Sequence, residues 1–189
     1  VNIDQILQEV FQIEDDVCRN EIAVKSRIKH FQRSELIVKE GQIQTHVYFL
    51  LSGAARGYTI SDDGDEITDC ITSQAGMPLI STNIFEKTAS LNFQALLDGI
   101  YLVIPFNLLV QLVNEKVEIL TLVCRRLAGA LAYHNAHKRT LHQATAREKY
   151  LWFKKTHPDL VGRLKQVHVA SYLGITPETL SKIKGKSGS

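Results

Sequence analysis

Three textures of apolar and polar positions follow one another along the chain. Residues 2 to 31 carry Ile3, Ile6, Leu7, Val10 and Phe11 at steps of three and four, the spacing of short amphipathic helices. From about Leu36 to Ile104 the texture changes. Apolar runs at residues 36–38, 47–51, 54–60, 67–72, 91–97 and 101–104 are separated by turn signals such as Ser52-Gly53, Asp63-Gly64 and Asp98-Gly99. Many short strands with regular turns predict an antiparallel roll or barrel. Pro105 closes the strands, and helical spacing returns, with a short helix over 106–113, a break at Asn114 and a long helix over 115–142.

The long helix carries two apolar stripes. Val117, Leu120, Cys124, Leu127, Leu131 and His134 step by three and four, a seam of heptad type. Ile119, Leu122, Val123, Ala130 and Tyr133 lie on another face. One stripe suffices to cover the chain's own roll. Two stripes predict that the helix also packs on a second copy of itself, unless both belong to one wide buried face.

The last apolar pattern is the most specific. After a helix over 145–155 and the turn His157-Pro158-Asp159, residues 166–184 read as two short helices joined by a tight turn. Ala170 is small enough to let a second helix cross close by, and Gly174 supplies a left-handed backbone. Thr176 suits the helix cap and Pro177 the first helical position. Val169, Leu173, Ile175, Leu180 and Ile183 form the seam between the helices. The register is that of a helix-turn-helix, which sets a helix in the DNA major groove; an ordinary helical hairpin would not need all of these features together.

Charge supports that reading. The formal net charge is only +2, yet from His137 to Ser189 there are 11 Lys and Arg against 3 acids. The rest of the chain carries 11 basic and 17 acidic residues. A basic segment that coincides with a helix-turn-helix is the electrostatic footprint of DNA binding. No apolar run is long enough to span a bilayer, and nothing at the start reads as a signal peptide. Cys18, Cys70 and Cys124 are too few and too far apart for a disulfide framework and fit a reducing cytoplasm.

Roll, long helix and C-terminal helix-turn-helix, in that order, resemble the catabolite-activator (Crp/Fnr) family of bacterial transcription regulators over nearly the whole chain. Residues 47–58 and 169–184 carry the resemblance most specifically. It implies an α+β chain: an antiparallel double-stranded β-helix (jelly-roll) sensor domain with its dimerisation helix over 1–142, then an all-α DNA-binding domain over 143–189. The family's recognition helix reads DNA with Ser-Arg-Glu-Thr-x-x-Arg, and here residues 176–182 are Thr-Pro-Glu-Thr-Leu-Ser-Lys. Glu178 matches a cytosine-reading acid, Thr179 a phosphate-contacting hydroxyl, and Lys182 stands for a guanine-reading Arg. Pro177 replaces another base-reading Arg, so the operator should differ from the family's best-known consensus. Thr176, Ser181, Lys184 and Lys186 complete the expected DNA-facing set, and His168 stands where it could face phosphate. The few residues beyond Lys184 leave no room for the family's C-terminal β-hairpin wing.

The implied partners are double-stranded DNA, a second copy of the chain, RNA polymerase and a small-molecule effector of unknown identity. Cyclic nucleotide is an unexpected effector. Family members that bind it use a Gly-Glu pair for the ribose and an Arg-Ser/Thr-Ala run for the phosphate, and a buried phosphate needs such a charge-assisted partner. Residues 75–80 and 91–95 offer neither. Ser81, Thr82, Asn83 and Asn92 are the weak candidates to line a pocket, and Arg56 is the first alternative anchor for a phosphate.

Catalysis finds no support: there is no glycine-rich phosphate loop, nucleophile elbow or paired-carboxylate scaffold. Asp62, Asp63, Asp65 and Glu66 straddle a turn without the rest of a calcium loop. Three isolated cysteines cannot hold an iron–sulfur cluster, so no metal or cofactor is expected. Cys124 reads as a small buried residue of the seam. The competing reading is a ligand-binding or protein-interaction module whose helix-turn-helix is vestigial, favoured by Pro177 and opposed by the basic C-terminal segment.

Overall fold

A computed structural model of the chain describes residues 2–80 and 88–185. Two helices, α1 (Ile3–Glu9) and α2 (Asp16–Lys25), lead into six strands: β1 (Arg27–Phe31), β2 (Leu36–Val38), β3 (His46–Ile60), β4 (Glu66–Thr72), β5 (Pro78–Leu79) and β6 (Asn92–Pro105). All pairings are antiparallel, in the order β1-β6-β3-β4, with β2 added on β6 and β5 on β3. Helices α3 (Phe106–Glu115), α4 (Val117–Gln143), α5 (Ala146–Thr156), α6 (Gln166–Tyr172) and α7 (Pro177–Gly185) follow, with a 3-10 turn at Pro158–Leu160. This is the expected α+β order of roll, long helix and helix-turn-helix.

Alternation along β3 sorts its side chains between two layers. Val47 and Phe49 pack with Leu102 and Ile104 of β6 against α1, α2, α3 and the start of α4. Phe11 meets Phe49 edge-on at 5.3 Å, pinning the N-terminal helices to this face. Leu50 and Ala55 point the other way, into a roll interior filled by Phe31, Leu79, Phe93 and Tyr101.

Three expectations need correction. Residues 27–31 are a strand, β1, rather than the tail of a helix. The sequence Arg-Ile-Lys-His-Phe has little periodicity of its own, and pairing of Arg27 through Phe31 with Val103 through Gly99 sets its backbone. Its basic, exposed residues suit a sheet edge. Asp98-Gly99 and Ser52-Gly53 are not turns either, because β3 and β6 run straight through them and pair, with register shifts around Ser52 and Ala54. A Cβ on Gly53 (φ +92°) would stand 2.5 Å from the Asp98 carbonyl oxygen, and one on Gly99 would stand 2.8 Å from that of Ser52. These glycines permit a close cross-strand approach instead of a reversal. Finally, the helix break falls at Lys116, not Asn114; Lys116 is extended and its ammonium lies 3.0 Å from Asp15. Asp15 also caps α2 through the Cys18 N–H, and both contacts hold its carboxyl below the usual range.

Candidate nucleic-acid interface

The helix-turn-helix is built from local chemistry. Ala170 is fully buried, Gly174 turns the chain at φ +58°, and the Ile175 N–H donates back to the Ala170 carbonyl at 3.1 Å. Thr176 caps α7, its hydroxyl accepting the Thr179 N–H at 3.2 Å, and Pro177 is the first helical residue. Leu180 buries against Val169, Leu173, Phe153 and Leu160, which turns the opposite face of α7 outward.

That outer face carries Thr176, Glu178, Ser181 and Lys182, all exposed; Lys184 is half-buried, and Lys186 lies outside the described residues. Thr179 is half-buried and its hydroxyl is within 3.1 Å of that of Thr176. The Glu178 carboxyl is held below its ordinary pKa by its own backbone N–H, the Thr176 hydroxyl and nearby Lys182. An anionic acceptor and a cationic donor thus sit one turn apart on one face, chemistry that can address a cytosine amine and a guanine edge. His168 does not join them. It is half-buried on α6, where burial first and then Arg56 push its pKa down to about 4.

The DNA-side helices are fixed to α4 by a cluster of rings. His137 stacks on both Trp152 (5.3 Å) and Tyr172 (4.0 Å), and its Nε2–H donates to the Tyr172 carbonyl at 2.9 Å. The Tyr172 hydroxyl bonds that of Tyr133, which in turn reaches His157 Nε2 at 2.6 Å. Burial lowers the His157 pKa to about 4 and raises that of Tyr133 to about 12. The Tyr133 hydroxyl can donate to His157 Nε2 or accept from it, according to the tautomer, and donor and acceptor roles along the rest of the chain follow. Sequence reading missed this cluster, because its members are far apart in the chain and each aromatic ring, taken singly, reads as core.

The two stripes of α4 separate as expected. Ile119 is buried and Leu122 and Val123 pack on the same apolar layer, while Arg126 donates to the Val10 carbonyl at 3.2 Å. Val117, Leu120, Cys124, Leu127, Leu131 and His134 are all exposed in a single chain, Val117 at 78%, Leu127 at 61% and Leu131 at 63%. Cys124, read as buried, is therefore uncovered unless another surface meets it.

The ligand candidates fare differently. Ser81, Thr82 and Asn83 lie outside the described residues. Asn92 is buried and spends its amide on Glu40, accepting its N–H at 3.0 Å and donating to its carboxylate at 3.2 Å. Arg56 faces away from the roll interior and binds Gln94, Thr68 and Glu66 on the outer face of the sheet. No helix among the described residues is long and apolar enough to cross a membrane.

Comparison with known proteins agrees with this architecture. Residues 28–116 match the cyclic nucleotide-binding domain family. The chain is 24% identical over 172 residues to the regulatory protein HlyX of Actinobacillus pleuropneumoniae, covering 85% of this chain and 71% of that one. It is 25% identical over 172 residues to the electron transport regulator A of Shewanella oneidensis, covering 85% and 68%. Among solved structures, FixK2 from Bradyrhizobium japonicum superposes with a TM-score of 0.74 at 20% identity, covering 85% of this chain and 83% of that one. A Crp/Fnr-family regulator from Eubacterium rectale gives 0.73 at 14%, covering 93% and 84%. Residues 28–116 thus match a cyclic nucleotide-binding domain, over 85% of its length the chain resembles proteins named as regulators, and its roll, long helix and helix-turn-helix have the fold of a Crp/Fnr-family regulator.

Proposed function

We propose that two copies of this chain pair along α4 and set their α7 helices into successive major grooves of a palindromic operator, in the cytoplasm. The observation that carries this reading is the division of α7. Leu180 is buried in its own domain while Glu178, Ser181 and Lys182 are exposed on the opposite face. Residues 143–185 form the DNA-reading unit and the preceding residues the sensor, with Glu178 and Lys182 on bases and Thr179 and Lys184 on backbone. The exposed α4 seam supports pairing, since an apolar stripe of that length is costly to leave in water. Two recognition helices about 34 Å apart match one turn of duplex.

The effector of this regulator is not cyclic AMP or cyclic GMP. In the roll interior Leu50, Leu79, Phe93 and Tyr101 pack together, and Arg56 is committed to the outer face. Calorimetry with either nucleotide at micromolar concentration should give no heat of binding. Tight saturable binding would overturn this part of the reading.

The DNA-binding test is fluorescence anisotropy against duplexes that the wild-type protein selects from a random pool. Lys182→Ala should weaken binding by about 1–3 kcal/mol per half-site and relax preference at one base position. An unchanged preference removes Lys182 from the reading set. Failure to select any duplex at moderate salt would favour the alternative, an interaction module with a vestigial helix-turn-helix.

A further inference from the structure

Arg56 is the largest fully buried side chain among the described residues, 1% exposed, and it stands in an otherwise apolar and small stretch of β3. Burying a guanidinium is costly unless its donors are met. Here they are met from three directions. Nε and Nη2 donate to Gln94 Oε1 of β6 at 3.0 and 2.8 Å, Nη1 donates to the Thr68 hydroxyl of β4 at 3.1 Å, and Nη2 donates to the Glu66 carboxylate. Its guanidinium carbon lies 4.1 Å from the centre of the Tyr58 ring, a cation–π contact. The result is a stiff polar plate across β6, β3 and β4 on the outside of the roll.

The helix-turn-helix rests on that plate. Ser171 of α6 bridges two backbone groups of β4, its hydroxyl accepting the Thr68 N–H at 2.9 Å and donating to the Glu66 carbonyl at 2.9 Å. Thr68 and Glu66 are the same residues that hold Arg56. His168, one turn earlier on α6, also lies close enough to feel the Arg56 charge. Around this polar contact Ala54, Ile71 and Leu96 of the roll share one apolar cluster with Val169, Ala170, Tyr172 and Leu173. The DNA-reading unit is thus anchored twice, to α4 through the ring cluster and to the roll through this plate. One anchor would leave it free to pivot about the α4–α5 joint. Two anchors fix the direction of α7 relative to the α4 axis.

Building on the dimeric reading proposed above, we infer that the outer face of β3 and β4, centred on Arg56 and engaged by Ser171, is a positioning surface. It sets the angle at which α7 is presented and therefore the half-site spacing that the dimer accepts. Neither residue touches DNA in this account; both act through the orientation of α7. Two linked reading heads gain avidity only when geometry lets both engage, so a loosened anchor should cost discrimination between spacings rather than the reading of one half-site.

The test uses the full-length protein and the duplex half-site selected by the wild type, presented singly and as pairs with spacers varied over one helical turn. Ser171→Ala removes only the bridging hydroxyl, and Arg56→Met removes the plate's centre. Arg56→Lys keeps the charge and the Glu66 partner but cannot meet Gln94 and Thr68 together. The wild type should prefer its best spacing over one shifted by about 5 base pairs, half a turn, by on the order of 100-fold. In Ser171→Ala and Arg56→Met that ratio should fall to about tenfold or less, with Arg56→Lys between, while single half-site affinity stays within about threefold. Circular dichroism and sedimentation confirm that each variant is folded and paired, and Ser171→Ala decides the matter if Arg56→Met does not fold. An unaltered spacing ratio in Ser171→Ala would overturn the positioning role and leave the dimeric reading intact. A wild type that binds two half-sites no better than one would instead overturn the dimeric reading, and this inference with it.

Discussion

The two faces of α4 have similar sequences and opposite fates. On one face Ile119 is buried, Leu122 and Val123 pack on the apolar layer of the roll, and Tyr133 and His137 join the ring cluster of the DNA-reading unit. On the other, Val117, Leu120, Leu127 and Leu131 are left exposed, Leu120 least at 43%. The difference shows how much of this molecule a single chain can complete. The packed face satisfies every demand locally: apolar residues meet apolar residues, and the polar tips of Tyr133 and His137 find partners. The open face is mainly apolar, with Cys124 and His134 among its residues, and no element among the described residues covers it, which is the pattern the proposed dimer would explain. One stripe is intramolecular structure, and the other is the surface that the proposed dimer would cover.

The largest effect should come from breaking the open face. Leu127→Asp places a carboxylate in the seam, where pairing would bury it without a counter-ion. Sedimentation at micromolar concentration should then show a monomer with an unchanged circular dichroism spectrum. Affinity for a two-half-site duplex should fall on the order of 100-fold or more, as the avidity of paired heads is lost. A variant that stays dimeric would place the interface elsewhere.

The converse substitution belongs to the packed face. Ile119 is 2% exposed, so Ile119→Ala leaves a cavity between α4 and the roll and should cost about 2–4 kcal/mol of unfolding free energy. Denaturant melts would measure it. The two positions are eight residues apart on one helix, and the expectation is a clean exchange of phenotypes. Ile119→Ala should lose stability and keep its dimer, and Leu127→Asp should do the reverse.

Acid should act on the packed face next. His157 is buried and neutral, with its pKa lowered from 6.5 to about 4 by desolvation. Between those values the unfolded chain binds a proton that the folded chain refuses, so the stabilisation is complete above pH 6.5 and is lost as pH falls toward 4. His137 is lowered in the same direction by burial and adds to the trend. The contribution of His157 is on the order of 3 kcal/mol across that window. Urea melts at pH 7 and pH 5 should show it, and His157→Gln, which can still hydrogen-bond Tyr133 but cannot titrate, should flatten the slope. An equal slope in that variant would assign the acid sensitivity to other groups.

What the sequence made legible follows the range of the forces involved. The stripes of α4 repeat over six and five positions, and the turn of the helix-turn-helix is written in four adjacent residues, Gly174 to Pro177; both are local and both were readable. Strand β1 was not, because Arg27 to Phe31 are extended by pairing with β6 far along the chain. Gly53 and Gly99 read as turns because a glycine that allows two strands to approach looks like one that allows a reversal. The surface joining roll and DNA-reading unit was missed for the same reason. Its one clue was Arg56, a lone charge within Ala54-Ala55-Arg56-Gly57-Tyr58, which had to find a buried partner that no local rule names.

The smallest effect concerns the point where both faces of α4 end. The chain leaves the helix at Ala144 and re-enters one at Ala146, and Thr145 is the cap between them. The Glu148 N–H reaches its hydroxyl at 3.4 Å, and the Glu148 carboxylate accepts the Thr145 N–H at 2.8 Å, the reciprocal pair of a capping box. The Thr145 hydroxyl also donates to that carboxylate at 2.7 Å, and this bond, with the one from the Thr145 N–H, holds the Glu148 carboxyl below its ordinary pKa. Thr145→Ala removes the hydroxyl and leaves the start of α5 with an unmet N–H, which should cost about 0.5–2 kcal/mol. Neither face of α4 contains Thr145, so the dimer and the ring cluster should both survive. The loss should appear as faster amide exchange over residues 146–149, with the α4 amides unchanged. Exchange that spreads back along α4 would mean that the two helices unfold as one unit, and the division between a packed face and an open face would then extend across the joint.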